Sequence, residues 1–164
     1  MKPGTFGPYA GLLAIALAVD QWIKHLVETG LPFQERIDML PFLSLYRTYN
    51  TGIAFSLFSS LGDKGLIALA LVVVVFVLYL ASRTEDGQIY ARAGFALIIG
   101  GALGNLIDRA VYGHVIDYIY FHTPVWSFAV FNLADVFISI GAGLVVLQEV
   151  LTWRRERRDA RAGD

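Results

Sequence analysis

Cysteine is absent from the 164 residues of this chain, and histidine occurs only three times. Without cysteine there is no disulfide, no thiol nucleophile, no thiolate metal ligand and no lipid-anchoring cysteine on the protein itself. The histidines, His25, His114 and His122, show no H-E-x-x-H or comparable ligand spacing, so we expect neither a metal nor another cofactor. The net charge of −1 offers no general attraction for nucleic acid, and none is expected as a partner.

Apolar side chains, by contrast, dominate the composition. Hydrophobic residues make up 56% of the chain and the mean hydropathy is +0.57, whereas soluble domains are roughly 45–50% apolar. Four apolar segments are close to the length of about 20 residues that a membrane helix needs. The sequence therefore predicts one integral membrane domain over residues 1–164, with spans at about 9–28, 65–82, 91–111 and 132–153 and outer loops at 30–64 and 112–131.

The first of these spans has a competing interpretation as a cleaved signal peptide. Two features argue against it: a charged stretch, DQWIKH, follows the apolar run, and Asp20 and Lys24 stand at i and i+4 on one helix face. An acid before a base at this spacing can pair within the helix. The pair either stabilises the helix near an interface or supports a site.

Basic residues are distributed unevenly between the two sets of span ends, which predicts the orientation. The positive-inside rule places the more basic set in the cytoplasm, so both termini are expected there and both long loops outside. The more basic set contains Lys2, Arg83, Arg92, Arg154, Arg155, Arg157, Arg158 and Arg161, and the other set contains Lys24, Arg36, Arg47, Lys64 and Arg109.

The first outer loop is too polar and too rich in Pro and Gly to cross a bilayer. Its segment FLSLYRTYN alternates apolar and polar residues, which favours a short strand or hairpin at the membrane surface. Asn50, Thr51 and Gly52 predict a turn, and residues 54–58 are expected to dip back into the interface. In the third span, Gly100 and Gly104 form a G-x-x-x-G spacing, which lets another helix approach closely.

Polar side chains from distant segments gather at the outer face in this topology. Ionisable groups at membrane depth are costly and usually mark a site. The gathered residues are Asp20 and Lys24, Asn50, the group Asn105, Asp108 and Arg109, then Asp117, and finally Asn132 with Asp135. Two carboxylates, Asp117 and Asp135, suggest water activation by an acid and base pair, a chemistry suited to amide hydrolysis.

Other interpretations stay open from the residues alone. Asp117 could cap a turn, and Asp135 could accept amide hydrogen bonds in the first turn of the fourth span. A small ion-coupled transporter is an alternative function, although its acids would be expected near mid-membrane depth rather than at one end. A noncatalytic membrane scaffold would explain the hydrophobicity but not the gathered polar residues.

Five ordered motifs resemble those of the bacterial lipoprotein signal peptidases, the signal peptidase II family. They are DQWIK at 20–24, NTGIAFS at 50–56, GGALGNLIDR at 100–109, GHVIDY at 113–118 and FNLAD at 131–135. The resemblance implies a membrane all-α fold of four transmembrane helices with a small extracytoplasmic β-cradle and a short surface helix. It also implies an aspartic endopeptidase of the inner membrane that removes signal peptides from prolipoproteins, before a diacylglyceryl-modified cysteine.

The same resemblance implies the site residues and the partners. Asp117 and Asp135 would be the catalytic pair. Lipid-modified prolipoproteins would be the substrates, membrane lipid would surround the enzyme, and the inhibitor globomycin would be expected to bind at the site. The supporting or substrate-binding residues would be Asp20, Lys24, Asn50, Gly101, Asn105, Arg109, Asn132 and Ala134.

Overall fold

Four long helices form the body of the protein in a computed structural model that describes residues 7–52 and 62–162. Each helix is long and apolar enough to cross a membrane, so the predicted four-helix architecture is confirmed. The fourth helix does not end near Trp153, as the sequence suggested, but continues through the basic tail. The helices are α1 (Gly7–Gly30), α2 (Gly62–Arg83), α3 (Ile89–Tyr112) and α4 (Leu133–Ala162).

A small antiparallel sheet lies outside the helix bundle, in the order β1-β2-β3. Its strands are β1 (Arg36–Leu40), β2 (Leu43–Asn50) and β3 (Val115–Phe121). β2 is the strand that alternation predicted, whereas β3 lies in a stretch that the sequence assigned only to a loop. β3 forms by pairing with a strand more than 60 residues away, which local periodicity does not reveal. The described residues contain no separate short surface helix.

Helix α3 is the centre of the bundle and packs against α1, α2 and α4. Small residues permit these approaches: a Cβ on Gly94 would lie 2.5 Å from the carbonyl oxygen of Gly141 on α4. On the side facing α1, a Cβ on Gly100 would lie 3.1 Å from that of Ala16. The close helix approach predicted from Gly100 and Gly104 is therefore confirmed, and α1 is the partner.

The outer surface of the bundle is apolar, whereas charged residues are buried between its helices. On α2, Val72 and Val75 are 65% and 64% exposed, as expected for side chains that face lipid. Asp20, Lys24 and Asp108 are 0%, 1% and 1% exposed. Charged side chains buried this completely need ion-pair and hydrogen-bond partners close by, and those partners belong to the candidate site.

Candidate active site

The turn from α3 into β3 places the first carboxylate. Gly113 has φ +76°, and its N–H donates to the carbonyl of Arg109 at 3.1 Å, which ends α3. The chain then reverses into β3, where Asp117 stands opposite Thr48 of β2. Asn50 is two residues along β2 from Thr48, so its side chain emerges on the same face as that of Asp117.

Asp117 is held by side-chain amides and is only 2% exposed. Asn132 Nδ2 donates to its Oδ1 at 2.7 Å, and Asn50 Nδ2 donates to its Oδ2 at 3.0 Å. The pKa of Asp117 is raised to about 6, chiefly because burial disfavours the charged carboxylate; the nearby charge of Asp135 also raises it, while hydrogen bonds from the two amides lower it. The interpretation of Asp117 as a turn cap is wrong, since it lies within a strand and accepts from distant side chains.

Asn50 is oriented by the predicted turn. Its Oδ1 accepts the backbone N–H of Gly52 at 2.9 Å, so its amide nitrogen is left to face Asp117. Gly52 has φ +93°, a conformation that glycine adopts without strain. The turn is therefore confirmed and has a role in the site. The predicted return of residues 54–58 to the interface lies outside the described residues.

Asp135 belongs to the N-terminal cap of α4. Asn132 Oδ1 accepts the N–H of Asp135 and Asp135 Oδ2 accepts the N–H of Asn132, both at 3.1 Å, which is a reciprocal capping box. The remaining oxygen, Oδ1, accepts Asn105 Nδ2 at 2.9 Å. The hypothesis that Asp135 accepts an amide hydrogen bond in this turn is thus correct. The cap also brings Asp135 next to Asn132, which binds Asp117.

These five residues, Asp117 and Asp135 with Asn50, Asn105 and Asn132, are called the amide cluster below. A second group, the ion cluster, consists of Asp20, Lys24 and Asp108. Lys24 Nζ lies 2.9 Å from Asp20 Oδ2 and 2.8 Å from Asp108 Oδ2. The predicted pairing of Asp20 with Lys24 is therefore confirmed, but Lys24 has a second carboxylate partner on α3.

The ion cluster also holds the backbone of other elements. Asp20 Oδ1 accepts the N–H of Ala134 at 3.0 Å, in the first turn of α4, and Asp108 Oδ2 accepts the N–H of Ile116 at 3.3 Å, in β3. The first amides of a helix have no partner within it, so Asp20 satisfies one that would otherwise be buried and unpaired. Through these bonds, α1 and α3 position the segments that carry both carboxylates of the amide cluster.

Asn105 connects the two clusters. Its Oδ1 accepts from Lys24 Nζ at 2.8 Å and from Asn132 Nδ2 at 3.1 Å, and its Nδ2 donates to Asp135. Because Lys24 can only donate, it requires the amide oxygen of Asn105 to face it. The amide nitrogen is consequently turned toward the carboxylate of Asp135.

One residue that was missed as a candidate, Gln21, takes part beside Asp108, which was named among the gathered polar residues. Gln21 Nε2 donates to Asp108 Oδ1 at 2.9 Å and to the carbonyl of Gly104 at 3.2 Å. Asp108 is a partner of Lys24, as described above. Gln21 follows Asp20 directly in the DQWIK motif, so its place in that motif was the available signal.

Gly101 and Ala134 act through packing. A Cβ on Gly101 would lie 2.5 Å from the carbonyl oxygen of Ala134, and Ala134 is itself 0% exposed. Gly101 thus allows α3 to touch the first turn of α4. Gly104 makes the corresponding allowance for α1, because a Cβ there would collide with Asp20 Oδ2. These residues fix helix positions beside the carboxylates.

Arg109 lies one turn along α3 from Asn105. Its Nη1 donates to the carbonyl of Asn105 at 3.3 Å, and its charge interacts through space with those of Asp117 and Asp135. Among the described residues no carboxylate is within 4.0 Å of its guanidinium. Arg109 therefore keeps donors that a bound molecule beside the carboxylates would meet.

The family model for signal peptidase (SPase) II matches residues 12–151, which include every residue of both clusters. The chain belongs to the signal peptidase II family. The resemblance seen in the five motifs is confirmed, and the chain is accordingly a multi-pass membrane peptidase. The two clusters are the only gathering of buried charge between its helices in the residues that the structure describes, apart from Arg92 near the other end of α3.

Relatives of this signal peptidase II chain match it over most of its length. A lipoprotein signal peptidase of Mesorhizobium japonicum is 71% identical over 157 residues, covering 96% of this chain and 94% of the relative. A lipoprotein signal peptidase of Brucella ovis is 58% identical over 146 residues, covering 89% and 91%. Neither relative is much longer than this chain.

Solved structures support the fold. A bacterial membrane enzyme whose structure was obtained by the in meso method at 2.3 Å superposes with a TM-score of 0.78 at 23% identity, covering 88% of each chain. A second such structure, at 1.9 Å, gives a TM-score of 0.76 at 24% identity and covers 86% of this chain and 91% of the other. These likenesses establish the arrangement of four helices and a small sheet.

Proposed function

We propose that this chain is an aspartic endopeptidase that removes signal peptides from diacylglyceryl-modified prolipoproteins, with Asp117 and Asp135 activating water. The observation that carries the proposal is the amide cluster. It holds two carboxylates through neutral amides, without a cation in contact, and burial brings the pKa of Asp117 to about 6. One shared proton near neutral pH is the state such a pair needs.

The reaction follows from that shared proton. The ionised aspartate accepts a proton from water, whose oxygen attacks the carbonyl carbon of the scissile peptide bond. The protonated aspartate donates a hydrogen bond to the carbonyl oxygen as negative charge develops on it. When the C–N bond breaks, the departing nitrogen takes a proton from the pair, which returns the pair to a single proton.

The three asparagines suit a pair that changes its protonation. Asn50 and Asn132 donate to Asp117, and Asn105 donates to Asp135, so each carboxylate keeps its position while its charge is only partly offset. A lysine or arginine in direct contact would hold both acids ionised. Arg109, with donors left over, is placed to bind a carbonyl or another polar group of the substrate.

The lipid of the substrate supplies positioning. A diacylglyceryl group would lie in the bilayer beside the helices and hold the adjacent peptide bond at the membrane surface, where the clusters lie near the ends of α1 and α3. Anchoring converts encounter with the site into a nearly intramolecular event. Globomycin is expected to occupy the same place.

The proposed setting is the bacterial inner membrane, with both termini in the cytoplasm and the carboxylates at the extracytoplasmic face. The basic residues at the end of α4 support this orientation. A reporter fused after Asp164 should behave as cytoplasmic, and a tag inserted near Gly62 should be reachable from outside. The reverse accessibility would overturn both the orientation and the extracytoplasmic location of the carboxylates.

The function is tested by incubating the purified protein with the same prolipoprotein in lipidated and unlipidated form. Release of the signal peptide from the lipidated precursor alone is expected, with a rate that falls at both acid and alkaline extremes and two apparent pKa values that belong to the pair jointly. Globomycin should block the release. Equal cleavage of both precursors would refute the lipid requirement, and no cleavage of either would refute the proposed function.

A further inference from the structure

At the end of α4, four of the five arginines lie on one side of the helix and the acids on another, with Arg155 between them. Arg154, Arg157, Arg158 and Arg161 stand at i, i+3, i+4 and i+7, so they project from one side of the helix, and all are exposed. These four residues are called the arginine face. The acids of this segment, Glu149, Glu156 and Asp159, are spaced by seven and three residues and form a line of their own on another side.

The arginine face continues the side of α4 that is turned away from the bundle. Ile140, Leu147 and Val150 precede Arg154 at helical spacing, so they lie on its side of α4, and they are 51%, 42% and 40% exposed. The opposite side is the packed one. On that side, a Cβ added to Gly141 would lie 2.5 Å from the carbonyl oxygen of Gly94 on α3. Gln148, two turns later, is 6% exposed.

The depth of these arginines matches a layer of headgroups. From Leu133 to Trp153 an α-helix rises about 30 Å, the thickness of the hydrocarbon core. Trp153 is 51% exposed, and the guanidinium of Arg157 lies 4.1 Å from its ring centroid, as for an aromatic residue at the interface. The next two turns of α4, which hold the arginine face, then pass through the polar layer of the leaflet.

We propose that the arginine face is a binding surface for the phosphate groups of anionic phospholipids in the leaflet at the C-terminal end of α4. The rule that sets orientation by basic residues requires only that they be near the end of a span, on any side. It does not explain why four of the five arginines share the lipid-facing side while the acids avoid it. Planar guanidinium groups match phosphate oxygens in pairs, and clusters of four or more basic residues beside a span attract anionic lipid.

Trp153 provides a direct probe of the lipids beside this surface. In a Trp22→Phe and Trp126→Phe background, the protein is reconstituted in phosphatidylcholine vesicles that contain a minor fraction of brominated phosphatidylglycerol or of brominated phosphatidylcholine. We expect the anionic quencher to reduce Trp153 fluorescence about twofold more than the neutral one, and high salt to shrink the difference. Equal quenching by the two lipids would overturn the proposal.

Two variants distinguish the effect of the arginine face from the effect of net charge on lipid binding. Replacing Arg154, Arg157, Arg158 and Arg161 by Gln should abolish the stronger quenching of Trp153 by the anionic lipid. A composition-matched variant carries Glu156→Arg, Arg157→Glu, Arg158→Asp and Asp159→Arg, which keeps the net charge but disrupts the arginine face. This variant should also lose the stronger quenching by the anionic lipid. If the variant still shows stronger quenching by the anionic lipid, the arginine face is refuted as the binding surface.

Native mass spectrometry of the chain with all tryptophans retained gives a second readout, the amount of each lipid that stays bound. The wild type should retain more phosphatidylglycerol than phosphatidylcholine, whereas both variants should retain the two lipids equally. Cleavage of a lipidated precursor in uncharged detergent should be the same in all forms, because the carboxylates lie at the other end of α4. That result shows that the variants are folded.

Discussion

The ion cluster and the amide cluster each hold two carboxylates and are connected through Asn105, yet their carboxylates have different partners. In the ion cluster Lys24 lies within 2.9 Å of both acids, so a single cation offsets part of their charge. In the amide cluster only neutral asparagines touch Asp117 and Asp135. A cation in contact favours the charged form of a carboxylate and holds helices together, whereas neutral donors leave a carboxylate able to exchange a proton.

The largest expected difference between the clusters is in turnover. Asp117→Asn and Asp135→Asn remove the ability to exchange a proton with little change of shape, so each should lower single-turnover cleavage of a lipidated precursor by about 10²–10⁴-fold. Asp38→Asn, at an exposed carboxylate on β1, is the matched control and should cleave like wild type. Near-normal cleavage by a folded variant that binds substrate would remove that aspartate from the mechanism.

Lys24 should matter most for stability. Lys24→Met leaves Asp20 and Asp108 side by side without a cation, and breaking such a buried pair costs about 3–5 kcal/mol. Asp20→Ala should cost less, because Lys24 keeps Asp108 as a partner. The measurement is the free energy of unfolding in detergent. A triple variant, Lys24→Met with Asp20→Asn and Asp108→Asn, removes all three charges and should recover part of the stability that Lys24→Met loses. An unchanged free energy of unfolding in Lys24→Met would contradict the role of the ion cluster.

The raised pKa of Asp117 should make stability depend on pH. Below the ordinary value of 3.8, Asp117 is protonated in both the folded and unfolded protein, so it contributes no difference. Between about 4 and 6 the folded form keeps the proton that the unfolded form has lost, so stability falls as pH rises, by about 3 kcal/mol in total for a shift of roughly two units. Thermal midpoints from pH 4 to 7 should lose this component in Asp117→Asn; the same slope in both proteins would show that Asp117 is not the cause.

The helix contact beside the amide cluster should show the smallest effect. Gly101→Ala would place a Cβ 2.5 Å from the carbonyl oxygen of Ala134, and the resulting shift of α4 should cost about 1–3 kcal/mol and reduce cleavage. Gly143→Ala is the matched control on α4, since nothing lies within 4 Å of its Cβ position. Thermal midpoints and cleavage rates compare the two. Equal behaviour would mean that this contact does not position Asp135.

Much of this arrangement was predictable from residues because it depends on short spacings. The four apolar segments imply four helices, the i and i+4 spacing of Asp20 and Lys24 implies their pairing, and Asn50 before Gly52 implies a turn. β3 was not predictable in this way, since a strand of seven residues is stabilised by the strand it pairs with. The role of Gln21 and the partners of Asp108 were not predicted, because these contacts join two different helices.

The sequence by itself determined the membrane class, the helices, the order of the polar motifs and the family, because hydrophobic length and local spacing act within one segment. The spacing of Asp20 and Lys24 predicted one ion pair, but only the tertiary structure decided that Asp108 shares the same cation and that Asp117 and Asp135 do not. Asp20, Asp108, Asp117 and Asp135 are chemically alike, and the difference arises because Lys24 reaches the first two while asparagines surround the others. That distinction depends on how α1, α3, β3 and α4 pack together, since buried charges interact over a few ångströms and those neighbours come from distant parts of the chain.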